Sequence, residues 1–194
     1  MTNERMSELF SSANGGLRVC IGSWEAYNEG GKHGLGTCYK GRYYIDLTML
    51  ESEEELTELL IALGWSEAER EELFIQDYES EYITLKGCDY INPFSILKAI
   101  LESGIDLNEE GAKVAAIMEY TGKTLEEAIT EADNYDFYKG LTGEEYEEEL
   151  IADCYPELNF DNMGNLSNYI TIDYEAMARD DDIYITDSGV LVGR

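Results

Sequence analysis

The stretch Ser52-Glu-Glu-Glu-Leu-Thr-Glu-Leu-Leu-Ile-Ala-Leu-Gly64 decides how the rest of the chain is read. Ser52 followed three residues later by Glu55 is a capping box, in which each side chain takes up the other residue's free N–H. Leu56, Leu59, Leu60 and Leu63 then recur at i, i+3, i+4 and i+7, the apolar stripe of an amphipathic helix. Gly64 supplies the left-handed residue on which such a helix ends. Around the leucines stand Glu51, Glu53, Glu54, Glu55 and Glu58, with no Lys or Arg among them. Ordinary exposed helices pair Glu with Lys one turn on. The stretch therefore predicts a helix whose outer face is uncompensated acid.

The same pattern returns along the chain. Ser66 to Glu69 is a second capping box, predicting a short helix to about Leu73 with Glu67, Glu69, Glu71 and Glu72 outward. Asn92-Pro93 is a strong start, Asn as cap and Pro at the first helical position. That helix runs to Ser103 with Phe94, Leu97, Ile100 and Leu101 inward and Gly104 after it. Another covers about Asn108 to Tyr120, burying Val114, Ile117 and Met118 and showing Glu109 and Glu110. Thr124 to Glu127 caps a third, with Leu125, Ala128 and Ile129 inward and Glu126, Glu127 and Glu131 outward. Thr142 to Glu145 caps a fourth, to about Cys154, with Glu144, Glu145, Glu147, Glu148 and Glu149 read as outward. Pro156 ends that stretch. A last helix is predicted over much of 166–178, before the acidic turn Asp180-Asp181-Asp182.

Between the helices lie strand signals. Leu17 to Ile21 reads as a strand, and Thr37 to Leu47 as one or two. Phe74 to Leu85 reads as extended, and Tyr135 to Tyr138 as a strand. Ile183 to Thr186, the turn Asp187-Ser-Gly189 and Val190 to Val192 read as a closing hairpin. Tyr27 to Gly36 reads as turn chemistry and residues 1–16 as a loose start. The expected fold class is α+β: an elongated three-domain acidic protein. Its parts are a small α/β N-terminal unit (1–90), a helical middle (91–121) and an α+β C-terminal unit (122–194). Each part has few inward apolar residues, which suits an elongated molecule better than a sphere.

Composition narrows the function. The 194 residues carry 42 Asp and Glu against 13 Lys and Arg, a net charge of −29. Binding to nucleic acid, or to anionic lipid, needs a basic face. Both are excluded as direct partners. A hydrophobic share of 44% is too high for a disordered acidic tail. The charge is also uneven. Residues 1–50 hold five acids (Glu4, Glu8, Glu25, Glu29, Asp46) and five bases (Arg5, Arg18, Lys32, Lys40, Arg42), so the rest holds 42 − 5 = 37 acids and 13 − 5 = 8 bases. Adaptation to high salt would spread acid over the whole surface, which this pattern does not do. Cys20, Cys38, Cys88 and Cys154 form no CxxC pair, and there is a single His. That argues against structural zinc or a disulfide framework and for reduced thiols in a cytoplasmic protein. Residues 1–16 have no apolar core of a signal peptide, and no apolar run approaches the ~20 residues of a membrane span.

Catalytic and ligand motifs fail one by one. Gly122-Lys123-Thr124 resembles the end of a phosphate loop, but Ile117 stands where its first Gly belongs. The glycines from 30 to 36 lack a strand-turn-helix context. Asn159, Asp161 and Gly164 suggest a calcium loop, but Met163 and Ile170 stand where ligands belong. His33 has no Ser or Cys partner in any local motif. No catalytic residue, metal or cofactor is assigned, and the chain is not read as an enzyme. Acids three and four apart on a helix have Cβ atoms ~5–6 Å apart, close to the spacing at which duplex DNA presents phosphate. At one charge per ~1.7 Å of duplex, the 42 acids correspond to roughly 21 base pairs.

Several blocks together resemble one family. Val19 to Gly22 followed by Tyr27-Asn28-Glu29-Gly30 looks like the N-terminal signature of the ArdA antirestriction proteins. Ile75-Gln-Asp77-Tyr78-Glu79 resembles their next block. Leu166-Ser-Asn168-Tyr169-Ile170 with Ile172-Asp173-Tyr174, then Ala178-Arg179-Asp180, is similar to their C-terminal block. The blocks stand in the family's order from about 17 to 192. The resemblance implies a curved three-domain DNA mimic, homodimeric through its C-terminal domain and carried on mobile genetic elements. Such proteins fill the DNA groove formed by the specificity and modification subunits of a type I restriction enzyme. The acidic faces above, with Asp180, Asp181 and Asp182, would then bind collectively. An acidic module for another basic partner, of histone-like or chaperone type, is the alternative. The chain carries extra residues before Leu17, between Gly30 and Asp46, and in the middle helices.

Overall fold

The structure, a computed structural model, describes residues 1–11, 16–30, 33–156 and 170–194. Among these residues eight α-helices stand with two three-stranded antiparallel sheets, a mixed α+β fold. The chain divides into two compact units, Met1–Glu131 and Ala132–Arg194. Both limits expected from the sequence, at 90/91 and 121/122, fall inside the first.

The first unit begins with a helix where a loose start was expected. Helix α1 spans Asn3–Leu9, capped by the Thr2 side chain. Met6, Leu9 and Phe10 are buried and seat this short helix on the core, together with the bonds from Arg5 to Glu55. Strand β1 (Arg18–Ser23) lies in the middle of the sheet, between β2 (Ile45–Asp46) and β3 (Leu73–Glu79). Its central place explains why Val19, Cys20 and Ile21 are all buried. Gly22 has no alternative, because a Cβ there would stand 2.6 Å from the Phe74 ring. That ring stacks on Trp24 at 4.4 Å.

Helix α2 (Trp24–Glu29) begins before the expected turn region and takes up its first residues, Tyr27 to Glu29. Ser23 caps it, accepting from the Ala26 N–H at 3.3 Å, and Gly30 at φ 64° ends it. Tyr27 to Gly30 is thus the end of a helix. From Thr37 to Leu47 the expected strands shrink to β2 and one bridge, Tyr39 to Arg42. Gly36, Lys40 and Gly41 all have positive φ, which breaks an extended run. The expected helix from Ser66 is reduced to a single 3-10 turn, Ala68–Arg70, although Ser66 and Glu69 exchange both capping bonds.

Four helices complete the unit: α3 (Glu53–Ala62), α4 (Pro93–Ser103), α5 (Leu107–Thr121) and α6 (Leu125–Thr130). Each begins at a side-chain cap: Ser52, Asn92, Asp106 and Thr124. Gly104 and Gly122 end α4 and α5 in the left-handed region. Gly122-Lys123-Thr124 is therefore the short link between two helices. Leu56, Leu59 and Leu60 are fully buried, as the opening stretch predicts. In α4 the buried stripe is Ile96, Leu97, Ala99 and Ile100, while Leu101 is exposed and Phe94 half-buried. The inward face is thus rotated from the expected one.

The second unit holds β4 (Tyr135–Lys139), α7 (Gly143–Cys154), α8 (Tyr174–Asp180), β5 (Ile183–Thr186) and β6 (Gly189–Gly193). Its sheet has the order β4-β6-β5, with Tyr135 opposite Gly193 and Ile183 opposite Val192. The expected closing hairpin is β5–β6. Helix α7 packs on α8, with Gly143 admitting Ile185 and Ala178 too close for any Cβ. The last helix starts later than expected: Asp173 caps α8, and Ile170 to Ile172 are not helical. The β-branched Thr171 and Ile172 disfavour helix there. Residues 166–169 of that expectation lie outside the described residues, as do Asn159, Asp161, Met163 and Gly164. Among the described residues no helix is long and apolar enough to cross a membrane.

Candidate protein-binding acidic surface

The caps determine where the acids stand. A capped helix leaves its first-turn N–H groups positive, so Asp and Glu are stabilised there. Accordingly Glu53 and Glu54 begin α3, Glu109 and Glu110 begin α5, Glu126 and Glu127 begin α6, and Glu144 and Glu145 begin α7. In the first unit Glu51, Glu53, Glu54, Glu58, Glu67, Glu71, Glu72, Glu109 and Glu127 are exposed. In the second, Glu144, Glu145, Glu148, Glu149, Asp180, Asp181 and Asp182 are exposed.

Several acids expected on this surface are engaged inside the fold. Glu55 is half-buried, and its carboxylate accepts from Arg5 Nε at 2.7 Å and Arg5 Nη2 at 3.2 Å. It also accepts from the Glu51 N–H at 2.8 Å, in place of the Ser52 N–H that a full capping box requires. The Arg5 contacts hold Glu55 below the usual carboxylate range despite partial burial. Glu69 accepts from the Ser66 N–H at 2.7 Å and meets His33 Nδ1 at 2.9 Å. Burial pushes Glu69 up, but bonds from Ser66 and His33 outweigh it, leaving it lowered. His33, the single histidine, is therefore a structural partner that also stacks on Trp65. Glu131 pairs with Lys123, Glu110 with Lys113 at 3.5 Å, and Glu126 accepts from Ser95 at 2.7 Å.

Glu147 is the clearest correction. It was expected to face outward among its neighbours, yet it is fully buried. The 3.6-residue period explains this, since Gly143, Tyr146 and Glu147 form the inner face of α7. Glu127 and Glu145 are exposed but close the capping boxes of α6 and α7. The backbone bond from Thr142, then its hydroxyl, holds Glu145 below the usual range.

The bases are largely spent on the chain's own groups. Arg5 holds Glu55 and the Met49 carbonyl, Arg18 pairs with Glu79, and Arg70 bonds the Ser66 carbonyl. Lys98 meets Glu102 at 3.8 Å and Arg194 meets Asp136 at 2.5 Å. Among the described residues, Glu53, Glu54, Glu67, Glu71, Glu72, Glu109, Glu144, Glu148 and Glu149 have no base within ion-pair reach. Exposed carboxylates without counter-charges make a negative field that reaches about a Debye length, ~8 Å at physiological salt. Among the described residues no three His, Cys, Asp or Glu side chains are placed to hold a metal. A cleft of about 790 Å³ lies in the first unit beside Tyr82, Leu85, Tyr90 and Met118, with Glu126 already held by Ser95.

The second signature block ties β3 to its neighbours. Asp77 accepts from the Tyr44 hydroxyl at 2.5 Å, Tyr78 accepts from the Leu85 N–H at 3.0 Å, and Glu79 pairs with Arg18 across β1 and β3. Tyr44 is pushed up to about 12, chiefly by its bond to Asp77 and then by burial. Gly30 ends α2, with Tyr27, Asn28 and Glu29 exposed on its last turn. In the third block Asp173 caps α8 through the Ala176 N–H at 2.9 Å, Tyr174 opens it half-buried, and Ile170 is exposed. Asn168 and Tyr169 lie outside the described residues.

A family model described as antirestriction protein (ArdA) matches residues 19–192. The chain belongs to the ArdA antirestriction family. The match spans β1 to β6 and leaves α1 before it. Membership of an antirestriction family implies interaction with restriction enzymes. No protein of curated function matches the sequence.

Proposed function

We propose that this ArdA-family chain inhibits type I restriction-modification enzymes by filling the groove in which their specificity and modification subunits hold DNA. The protein acts as a homodimer in the cytoplasm, on behalf of a mobile element, without a cofactor and without touching nucleic acid. The supporting observation is the asymmetry of charge: acids stand exposed on capped helices while the few bases are tied to internal partners. Lys and Arg that hold phosphate in a DNA groove would hold these carboxylates by the same charge-assisted bonds. Binding would be collective, carried by Glu51, Glu53, Glu54, Glu58, Glu67, Glu71, Glu72, Glu109, Glu144, Glu148 and Glu149.

The experiment is a pull-down with a purified type I methyltransferase core, with and without duplex DNA. Capture that duplex DNA competes away, and that weakens steeply from low to moderate salt, supports groove occupancy. Capture unaffected by DNA would reject it. Equal capture of unrelated basic proteins would favour a general acidic module instead.

A further inference from the structure

The first unit carries a cleft that exposed carboxylates alone do not require. It is built by the segment that follows β3 and by three helix ends: the start of α4, the end of α5 and the start of α6. Leu85 and Leu125 are buried in it, and Ile91 and Met118 are half-buried. Tyr82 lies over α5, its ring 3.5 Å from where a Cβ on Gly111 would stand. Tyr90 lines the cleft while 87% exposed, a large ring without cover of its own. The walls are fixed by the chain's own bonds. The Leu85 N–H donates to the Tyr78 hydroxyl at 3.0 Å, and the Ile75 N–H donates to the Ile91 carbonyl at 3.1 Å. The Tyr90 N–H donates to the Gly87 carbonyl at 3.0 Å, and Ser95 on α4 bonds Glu126 on α6 at 2.7 Å. A preformed apolar cleft of about 790 Å³ is of a size that takes ligands, and its walls need no further ordering on binding.

The charges select the occupant. Among the described residues that line the cleft, Lys123 is held by Glu131 and Glu126 by Ser95, while Lys86 and Glu119 offset each other. The lining is therefore close to neutral, in a chain of net charge −29. A second copy of this chain, or a nucleic acid, would bring like charge to like. Exposed acids stand just outside: Glu81 precedes Tyr82 in sequence and Glu127 follows Glu126. The arrangement fits an apolar side chain carried between Lys and Arg, the apolar part inside and the basic flanks on the acids. We propose that the cleft is an anchor site for the restriction enzyme, taking an apolar side chain from a basic loop of its DNA groove. The proposal rests on groove occupancy and adds to it a contact that duplex DNA does not make. Apolar and aromatic anchors seated in such pockets carry a large share of interface affinity.

Salt separates the anchor from the acids. Contacts that replace phosphate weaken with salt, and the slope of log affinity against log salt grows with their number. Burial of an apolar side chain is not screened in this way. Loss of the anchor therefore lowers affinity by one factor at every salt concentration and leaves the slope unchanged. Loss of exposed acids flattens the slope instead.

The test is binding of the full chain to a purified type I methyltransferase core, titrated between about 50 and 200 mM salt. Tyr90→Ala removes the exposed ring, and Thr84→Trp, at an exposed lining residue, fills the cleft. Each should bind roughly tenfold more weakly than the wild type at every salt concentration, with the same slope. Tyr90→Phe keeps the ring and should bind as the wild type does. Circular dichroism melts of all three should match the wild type, since both positions are exposed. Should Thr84→Trp fail to fold, Tyr90→Ala and Tyr90→Phe still decide the matter. Wild-type affinity in either folded cleft variant, or a deficit that fades as salt rises, would overturn the anchor and leave groove occupancy standing. Tyr90→Phe as weak as Tyr90→Ala would place the contact on the hydroxyl and likewise overturn it. So would a small molecule that native mass spectrometry finds on the purified wild type and not on Thr84→Trp, because the cleft would then have another occupant. Wild-type capture that duplex DNA does not compete away would reject groove occupancy itself, and the anchor with it.

Discussion

Arg5→Gln is the sharpest probe of how the first unit is held together. Arg5 lies on α1 and reaches Glu55 on α3 through two bonds of 2.7 and 3.2 Å, and the Met49 carbonyl at 2.6 Å. The two side chains are 25% and 17% exposed. A fully exposed pair would contribute only about 0.2–1 kcal/mol. Partial burial and three donors put this site higher, at about 1.5–3 kcal/mol for bonds to a charged group. Gln can retain at most one of the bonds, so the expected loss is about 1–2 kcal/mol. At about 2–4 °C per kcal/mol for a chain of this size, Tm should fall by roughly 2–8 °C. Trp24 and Trp65 both belong to the first unit, so tryptophan fluorescence during thermal unfolding reports it alone. The pH profile separates this pair from packing. Glu55 is held below its ordinary value, so its contribution is present above about 4.3 and fades as pH falls below that. Wild type and Arg5→Gln should therefore converge in acid. A deficit that is equally large at pH 3 and pH 7, or no deficit at all, would refute the role given to the pair. Inhibition of the restriction enzyme by folded Arg5→Gln should not weaken, because the change removes a positive charge.

Four further outcomes follow. Replacing Glu53, Glu54 and Glu58 together by Gln should weaken inhibition and flatten its salt dependence, while each single change has a small effect; inhibition titrations at several salt concentrations measure this. Gly22→Ala should destabilise the first unit by about 1–3 kcal/mol in denaturant melts, because the new Cβ displaces the Phe74 ring stacked on Trp24. Leu59→Ala, at a fully buried position of α3, should cost about 2–5 kcal/mol in the same assay. Tyr44 should stay protonated to about pH 12 by NMR, and its bond to Asp77 should stabilise the wild type over Tyr44→Phe up to about pH 10, with the difference lost as pH rises towards 12.

Helices with local start and stop codes were readable from the sequence. Ser52, Asn92, Thr124 and Thr142 each cap the helix assigned to them, because a cap and its acceptor lie within one turn. Elements held from a distance were not readable. Helix α1 depends on three buried side chains and on Glu55, whose partner Arg5 stands 50 residues away in sequence. Helix α2 was masked by its glycine-rich exit, although Ser23 offered a cap. The acidic surface was legible in bulk because composition needs no geometry. Its membership was not, since Glu55 and Glu69 find partners through the fold. Glu147 could have been found: the spacing from Gly143 and Tyr146 already turns it inward, but a run of glutamates hides its own phase.

The position of α1 bears on how this protein is handled in the laboratory. The family match begins at residue 19, after the helix. A clone trimmed to the matched span would keep helices α2 to α8 and both sheets apart from their end residues Arg18 and Gly193. It would also delete Met6, Leu9 and Phe10 from the interior, strip Glu55 of its guanidinium, and leave Tyr39 without the Phe10 ring at 5.7 Å. Loss of activity in such a clone would report an opened core, not a missing contact with the restriction enzyme. For this chain the borders of shared ancestry and the borders of a stable fold are different places.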